Sequence, residues 1–153
     1  MSAAIDNAER GRLNRRRGAE AERMVVNYLR ANGYPDARRY LAGDGRQPGD
    51  IDGWHPLICC EVKDVAKSAW PSWCRQAVAE AREGMVPVVV RRTRGVPDVG
   101  AWECRVRSVD VVPFLTVEAI NVIAEAADQQ ADGRLWSSMP FGDFVRLVRE
   151  VEG

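Results

Sequence analysis

The ten residues from Pro56 to Val65, PLICCEVKDV, constrain this chain most. The run is apolar and β-prone for five positions, then carries an acid and a base two residues apart. A strand sends successive side chains to opposite faces. Leu57, Cys59, Glu61, Lys63 and Val65 therefore share one face, and Ile58, Cys60, Val62 and Asp64 the other. Glu61 and Lys63 stand side by side, about 7 Å apart at a rise of ~3.3 Å per residue. Ionised groups are costly to bury unless they are paired or bind a metal. Either the strand surfaces at this point or the pair serves a site.

The segment just upstream, GDIDGW, places Asp50 and Asp52 on one face with Ile51 turned away. It reads as a second strand joined to the first by a tight turn at Gly53–Pro56, an antiparallel hairpin that brings an aspartate near Glu61. Two converging carboxylates with a backbone carbonyl in reach between them form a hard-oxygen site suited to Mg²⁺ or Mn²⁺. A lysine beside such a site orients an attacking water and steadies negative charge on a phosphate. Those are the needs of phosphodiester hydrolysis.

The rest of the pattern supplies a frame. Gly18–Asn32 has helical spacing at Ala21, Met24, Val25, Tyr28 and Leu29 and stops at Asn32-Gly33 and Pro35. ARRYL is a short strand and AGDGRQPG a loop. AWPSWCRQAVAEAREG is a helix with Pro71 near its first turn and Gly84 at its end. MVPVVVRRT is a buried strand and WECRVRSVDVV a further one. LTVEAINVIAEAADQQ is helical, LWSSM a short strand, and PFGDFVRLVREV a closing amphipathic helix. The expected fold is a mixed α/β or α+β sheet with flanking helices. Its parts are a basic N-terminal arm over 1–17, a core over 18–107, and a C-terminal strand and helix extension of the same domain over 108–153.

Charge is uneven beneath a net of zero. Residues 1–107 carry 19 Lys+Arg against 14 Asp+Glu, and residues 108–153 carry 3 against 8. A basic larger part fits a polyanionic partner. No run is long enough to span a membrane, and the N-terminal residues lack the apolar stretch of a secretory signal. A cytoplasmic setting, in a bacterium or a phage-infected host, is the expectation. The four cysteines have no CxxC spacing, and Cys59 and Cys60 point to opposite faces, so all four read as small apolar fillers or free thiols.

Pro48-Gly49-Asp50 followed by Glu61-Val62-Lys63 resembles the PD-(D/E)-x-K nuclease superfamily. RRRGAEAERMVVNYLRANGY, upstream, resembles the opening helix of archaeal-type Holliday junction resolvases, with Gly18, the Glu22-Arg23 pair and Gly33-Tyr34 at matching places. The resemblance covers residue 15 to about residue 92 and fades beyond. It implies a restriction-endonuclease-like core, a homodimer, and Mg²⁺-dependent cutting of branched or four-way DNA. Glu22 inherits the role of an additional acid at the metal site, with Asp50, Glu61 and the Val62 carbonyl as ligands and Lys63 serving the attacking water. Either Asp50 or Asp52 can fill the aspartate position; Asp50 follows the glycine as the family's aspartate does and is preferred. Glu20 and Glu22 lie about 200° apart on a helix, so only one faces the site, and Glu22 borders the apolar side. Gln76 reaches the site if it follows the glutamine of several related nucleases. Arg15, Arg16, Arg17, Arg39, Arg46, Arg91 and Arg92 are candidate DNA contacts. Trp70 and Trp73 read as packing residues rather than base-stacking ones. Two rivals stand beside this reading: another DNase on the same core, restriction-like, repair or exonucleolytic, and a DNA-binding module without activity.

Overall fold

Arginine, alanine, glutamate and leucine fill most of the first thirty positions, and all four favour the helix. In a computed structural model of the chain, which describes residues 2–40, 47–111 and 136–152, they form one continuous helix, α1 (Ser2–Ala31). The helix does not start at Gly18, as the sequence pattern predicts. Gly11 and Gly18 each cost a helix about 1 kcal/mol relative to alanine, and the strong formers around them outweigh that. Arg12 to Arg16 are solvent-exposed, and the buried stripe begins only at Ala21, continuing through Val25, Val26 and Leu29. Gly33, at φ 101°, ends the helix, and the Tyr34 amide donates back to the Leu29 carbonyl at 3.0 Å, a left-handed stop that suits glycine.

Two short strands follow, β1 (Arg38–Arg39) and β2 (Ile51–Asp52), then β3 (Ile58–Lys63), α2 (Trp70–Glu80) and β4 (Val86–Arg91). A 3-10 turn at Val99–Ala101 leads into β5 (Glu103–Arg107) and a single helical turn, α3 (Ser108–Val111). The expected strand over WECRVRSVDVV thus stops at Arg107, where the Arg107 side chain pairs with Asp110 three residues on at 2.6 Å. The helix predicted over LTVEAINVIAEAADQQ lies outside the described residues. Strand β6 (Trp136–Pro140) and helix α4 (Phe141–Glu152) close the described chain.

The architecture is mixed α+β, with a central mixed sheet of four strands in the order β3-β4-β5-β6. β3 and β4 run parallel, joined across α2, and the other two pairs are antiparallel. The strand alternation holds. Ile58, Cys60, Val62, Val88, Val90, Cys104 and Val106 enter the main core with α1 and α4, which brings in Phe141, Phe144, Val145 and Val148. On the opposite face Val89 packs with Trp70, Trp73, Cys74 and Ala77 beneath α2. Trp70 and Trp73 meet edge to face at 5.2 Å and are buried, as packing residues should be. Among the described residues, no helix is long and apolar enough to cross a membrane.

The predicted β2–β3 hairpin does not form. β2 pairs antiparallel with β1 instead, and its approach to β3 is limited to an isolated parallel bridge between Gly49 and Cys60. Trp54 supplies the physical reason. Its ring is buried against Phe141, Phe144 and Tyr34, at centroid distances of 5.5, 5.8 and 6.2 Å. Burying such a side chain is worth roughly 2–3 kcal/mol, against about 1 kcal/mol for a ladder hydrogen bond. The chain therefore dives into the core after Asp52 rather than running along β3.

Candidate functional site

Backbone geometry sets Asp50 against β3. Gly49 takes φ 79°, and a Cβ there would lie 2.5 Å from the Cys60 carbonyl oxygen. Only glycine permits so close an approach in a left-handed conformation. The Asp50 amide then donates to the Cys60 carbonyl at 2.7 Å. One rung further along, no backbone partner among the described residues serves β3. The Asp50 carboxylate takes its place, with Oδ2 accepting from the Val62 amide at 2.8 Å. A buried N–H must find an acceptor, so this carboxylate completes the strand edge and is fixed by it.

The direction of the Val62 carbonyl follows. The carbonyls of Leu57 and Lys63 bond to β4, while that of Cys60 bonds to Asp50. N–H and C=O of one strand residue point the same way and alternate along the strand. The Val62 carbonyl therefore faces the Asp50 side.

Glu61 and Lys63 project toward α2, as the alternation requires. Glu61 is 2% exposed, and Lys63 Nζ lies 3.2 Å from its Oε2. Gln76, from α2, completes the group: its Oε1 accepts from Lys63 Nζ at 2.8 Å, and its Nε2 lies 3.4 Å from Glu61 Oε2 and 2.9 Å from Glu80 Oε1. Burial first, then a hydrogen bond to Glu80 and the charge of Asp50, push the Glu61 carboxyl up to about 9. The single Lys63 ammonium does not outweigh desolvation and two neighbouring carboxylates. Burial, opposed by the Val62 hydrogen bond and reinforced by the charge of Glu22, pushes Asp50 up to about 6. Glu80 is held below the ordinary range, chiefly by the hydrogen bond from Glu61. The acids are close enough to resist joint ionisation, which a cation would relieve.

The expected residues are therefore only partly gathered. Asp50, Glu61, Lys63 and Gln76 converge. Asp52 is turned to the β1 side, where Arg38 Nη2 meets its Oδ2 at 2.6 Å and the Gly53 amide donates to Oδ1. Glu22 approaches near enough to act on Asp50, but Arg39 Nε donates to its carboxylate at 2.6 Å. Its rival Glu20 is exposed and pairs with Arg92 at 3.4 Å.

Among the described residues, no three or more His, Cys, Asp and Glu side chains are arranged to hold a metal ion. Two carboxylates and a carbonyl remain as a donor set. That set fits Mg²⁺, which keeps several waters and binds through one or two carboxylates together with substrate phosphates.

The basic candidates divide. Arg15 and Arg16 are exposed and Arg17 is half-buried on α1; Arg46 lies outside the described residues. Arg91 and Arg92 do not form the shared patch that their adjacency implies, because neighbours in a strand diverge. Arg91 Nη2 donates to the Ala66 carbonyl at 3.0 Å and its guanidinium lies over Trp73, whereas Arg92 pairs with Asp64 and Glu20. Arg39 is likewise committed to Glu22. All four cysteines are free and buried, and burial raises each thiol, so thiolate chemistry has no support here.

Glu80 is the functional candidate that sequence reasoning missed. Its signal was the i, i+4 spacing from Gln76 within QAVAE, which puts both on one helix face.

No family model, no curated protein and no solved structure matches this chain.

Proposed function

We propose that this protein is a metal-dependent DNA endonuclease on a restriction-endonuclease-like core. More particularly, we propose a junction-selective enzyme of the Holliday junction resolvase type, acting as a homodimer. The observation that carries the nuclease reading is the convergence of Asp50, Glu61 and Lys63, with Gln76 accepting from the Lys63 ammonium. Element order supports the finer fold assignment: a helix bearing Glu22, three strands, a crossover helix and a parallel strand. Junction selectivity rests on the resemblance of residue 15 to about residue 92, and two matched cuts across a junction require two active sites.

Asp50, Glu61 and the Val62 carbonyl would hold the cation. When bound, Mg²⁺ supplies charge neutralisation and polarisation of the phosphate. The chain's own residues do the rest. Asp50 is held through one oxygen by the Val62 amide, so its carboxylate cannot swing away from the strand edge. Lys63, held by Gln76, presents an ammonium beside the acids, where it orients the attacking water and stabilises charge developing on the phosphate. Exposed Arg15 and Arg16 on α1 provide phosphate contacts outside the site.

The test is cleavage of a synthetic four-way junction and of a linear duplex of the same sequence, with Mg²⁺ or with EDTA. Preferential, Mg²⁺-dependent cutting of the junction is expected. Lys63→Ala is expected to lose roughly 100-fold or more of the rate while still binding DNA. Equal cleavage by both proteins would overturn the role of Lys63. Preference for linear duplex would favour a related DNase on the same core, and binding without any cleavage would favour the inactive module.

A further inference from the structure

We propose that Glu80 is a positioning residue that fixes the polarity of the Gln76 amide and through it the aim of Lys63. This rests on the nuclease reading for its consequence in catalysis, though not for the contact itself. An amide side chain offers an acceptor at one end and donors at the other, and it can turn over. Lys63 only donates, and Glu80 Oε1 stands as an acceptor. With Glu80 Oε1 2.9 Å from Nε2, the donor end is claimed and Oε1 is left facing Lys63 Nζ at 2.8 Å. The other acceptor for Nε2, Glu61 Oε2, is distant at 3.4 Å and too long to hold the amide by itself.

Helix stability does not account for Glu80. It occupies the last turn of α2, where the helix dipole disfavours an acid, and that turn holds no basic residue to offset it. The residue is half-buried, and its contact with Gln76 runs along one helix face toward the site. An acid at a position unfavourable to its own helix, in contact both with Glu61 and with the amide that holds the lysine, is explained by the site it supports.

The experiment uses the full chain and three variants: Glu80→Gln, which is isosteric, Glu80→Ala, and Glu80→Asp. Two readouts are taken. The first is the Gln76 side-chain NH₂ resonance in the ¹H–¹⁵N spectrum of the DNA-free protein, expected to shift in Glu80→Gln and Glu80→Ala. The second is single-turnover cleavage of a four-way junction with Mg²⁺, expected to fall roughly 10- to 100-fold in those two variants, as a misplaced group costs. Junction affinity in EDTA should stay within about twofold, since positioning acts on the rate and not on binding. Glu80→Asp should recover part of the rate. An unmoved Gln76 resonance, an unchanged rate, or a loss of affinity matching the loss of rate would overturn the proposal. Should the wild-type protein cut no DNA, the nuclease reading falls, and the Gln76 resonance by itself still decides whether Glu80 sets the amide.

Discussion

If Asp50 and Glu61 hold Mg²⁺ as proposed, binding should release a proton, and the number released is set by those two groups. Glu61 is pushed up to about 9 by burial and neighbouring carboxylates, and Asp50 up to about 6, mainly by burial. At about pH 7.5 the metal-free protein therefore carries an ionised Asp50 and a protonated Glu61. A cation needs both carboxylates, so binding expels about one proton. The linkage has a definite sign and slope. Between pH 6 and 9 the Mg²⁺ association constant should rise about tenfold per pH unit, close to a thousandfold in all, or ~4 kcal/mol. Below about pH 6 the slope should steepen toward two protons, because Asp50 must then lose one as well. Isothermal titration calorimetry in two buffers of different ionisation enthalpy counts the protons directly. Glu61→Gln should abolish the release together with tight binding. A proton count near zero at pH 7.5, with affinity flat from pH 6 to 9, would mean instead that Glu61 is already ionised, or takes no part in binding.

Two further outcomes follow from the strand edge. Gly49→Ala should destabilise the protein by about 2–3 kcal/mol: a left-handed non-glycine residue costs roughly 1–2 kcal/mol, and displacing the loop from Cys60 forfeits a hydrogen bond worth about 1 kcal/mol. Urea denaturation checks this, and a loss below about 0.5 kcal/mol would contradict the close approach. Asp50→Asn should abolish Mg²⁺ binding while Asp52→Asn leaves it within about threefold, because Asp52 is turned to Arg38; calorimetry that ranks them in reverse would exchange their roles.

How much of this was legible in the sequence differs from element to element. β3 and β4 were readable because buried strands advertise themselves by apolar runs, and the alternation in LICCEVK correctly placed Glu61 and Lys63 on one face. Helix α2 carried its start in Pro71, but it ends at Glu80, four residues before the Gly84 that the sequence offers as its stop. β1 and β2, with two residues each, are too short to show a period, so their pairing with each other was hidden. The α1 start was obscured because glycine marks a break only where its neighbours do not sustain the helix. Within the site, Glu61 and Lys63 came from the alternation along β3, whereas Asp50, just before β2, was preferred to Asp52 only through the family resemblance, and the hairpin expected to bring it to Glu61 does not form. The Arg39–Glu22 contact and the Gln76–Glu80 network depend on how separate elements pack, and local patterns do not carry that information.

In the proposed site, Asp50 and Glu61 hold a divalent cation between them. A crystal of the protein soaked in Mn²⁺, with data collected for the manganese anomalous signal, tests it most directly. A peak is expected roughly 2.0–2.3 Å from carboxylate oxygens of both residues and within reach of the Val62 carbonyl. A peak seated elsewhere, or none between those two side chains, would contradict it.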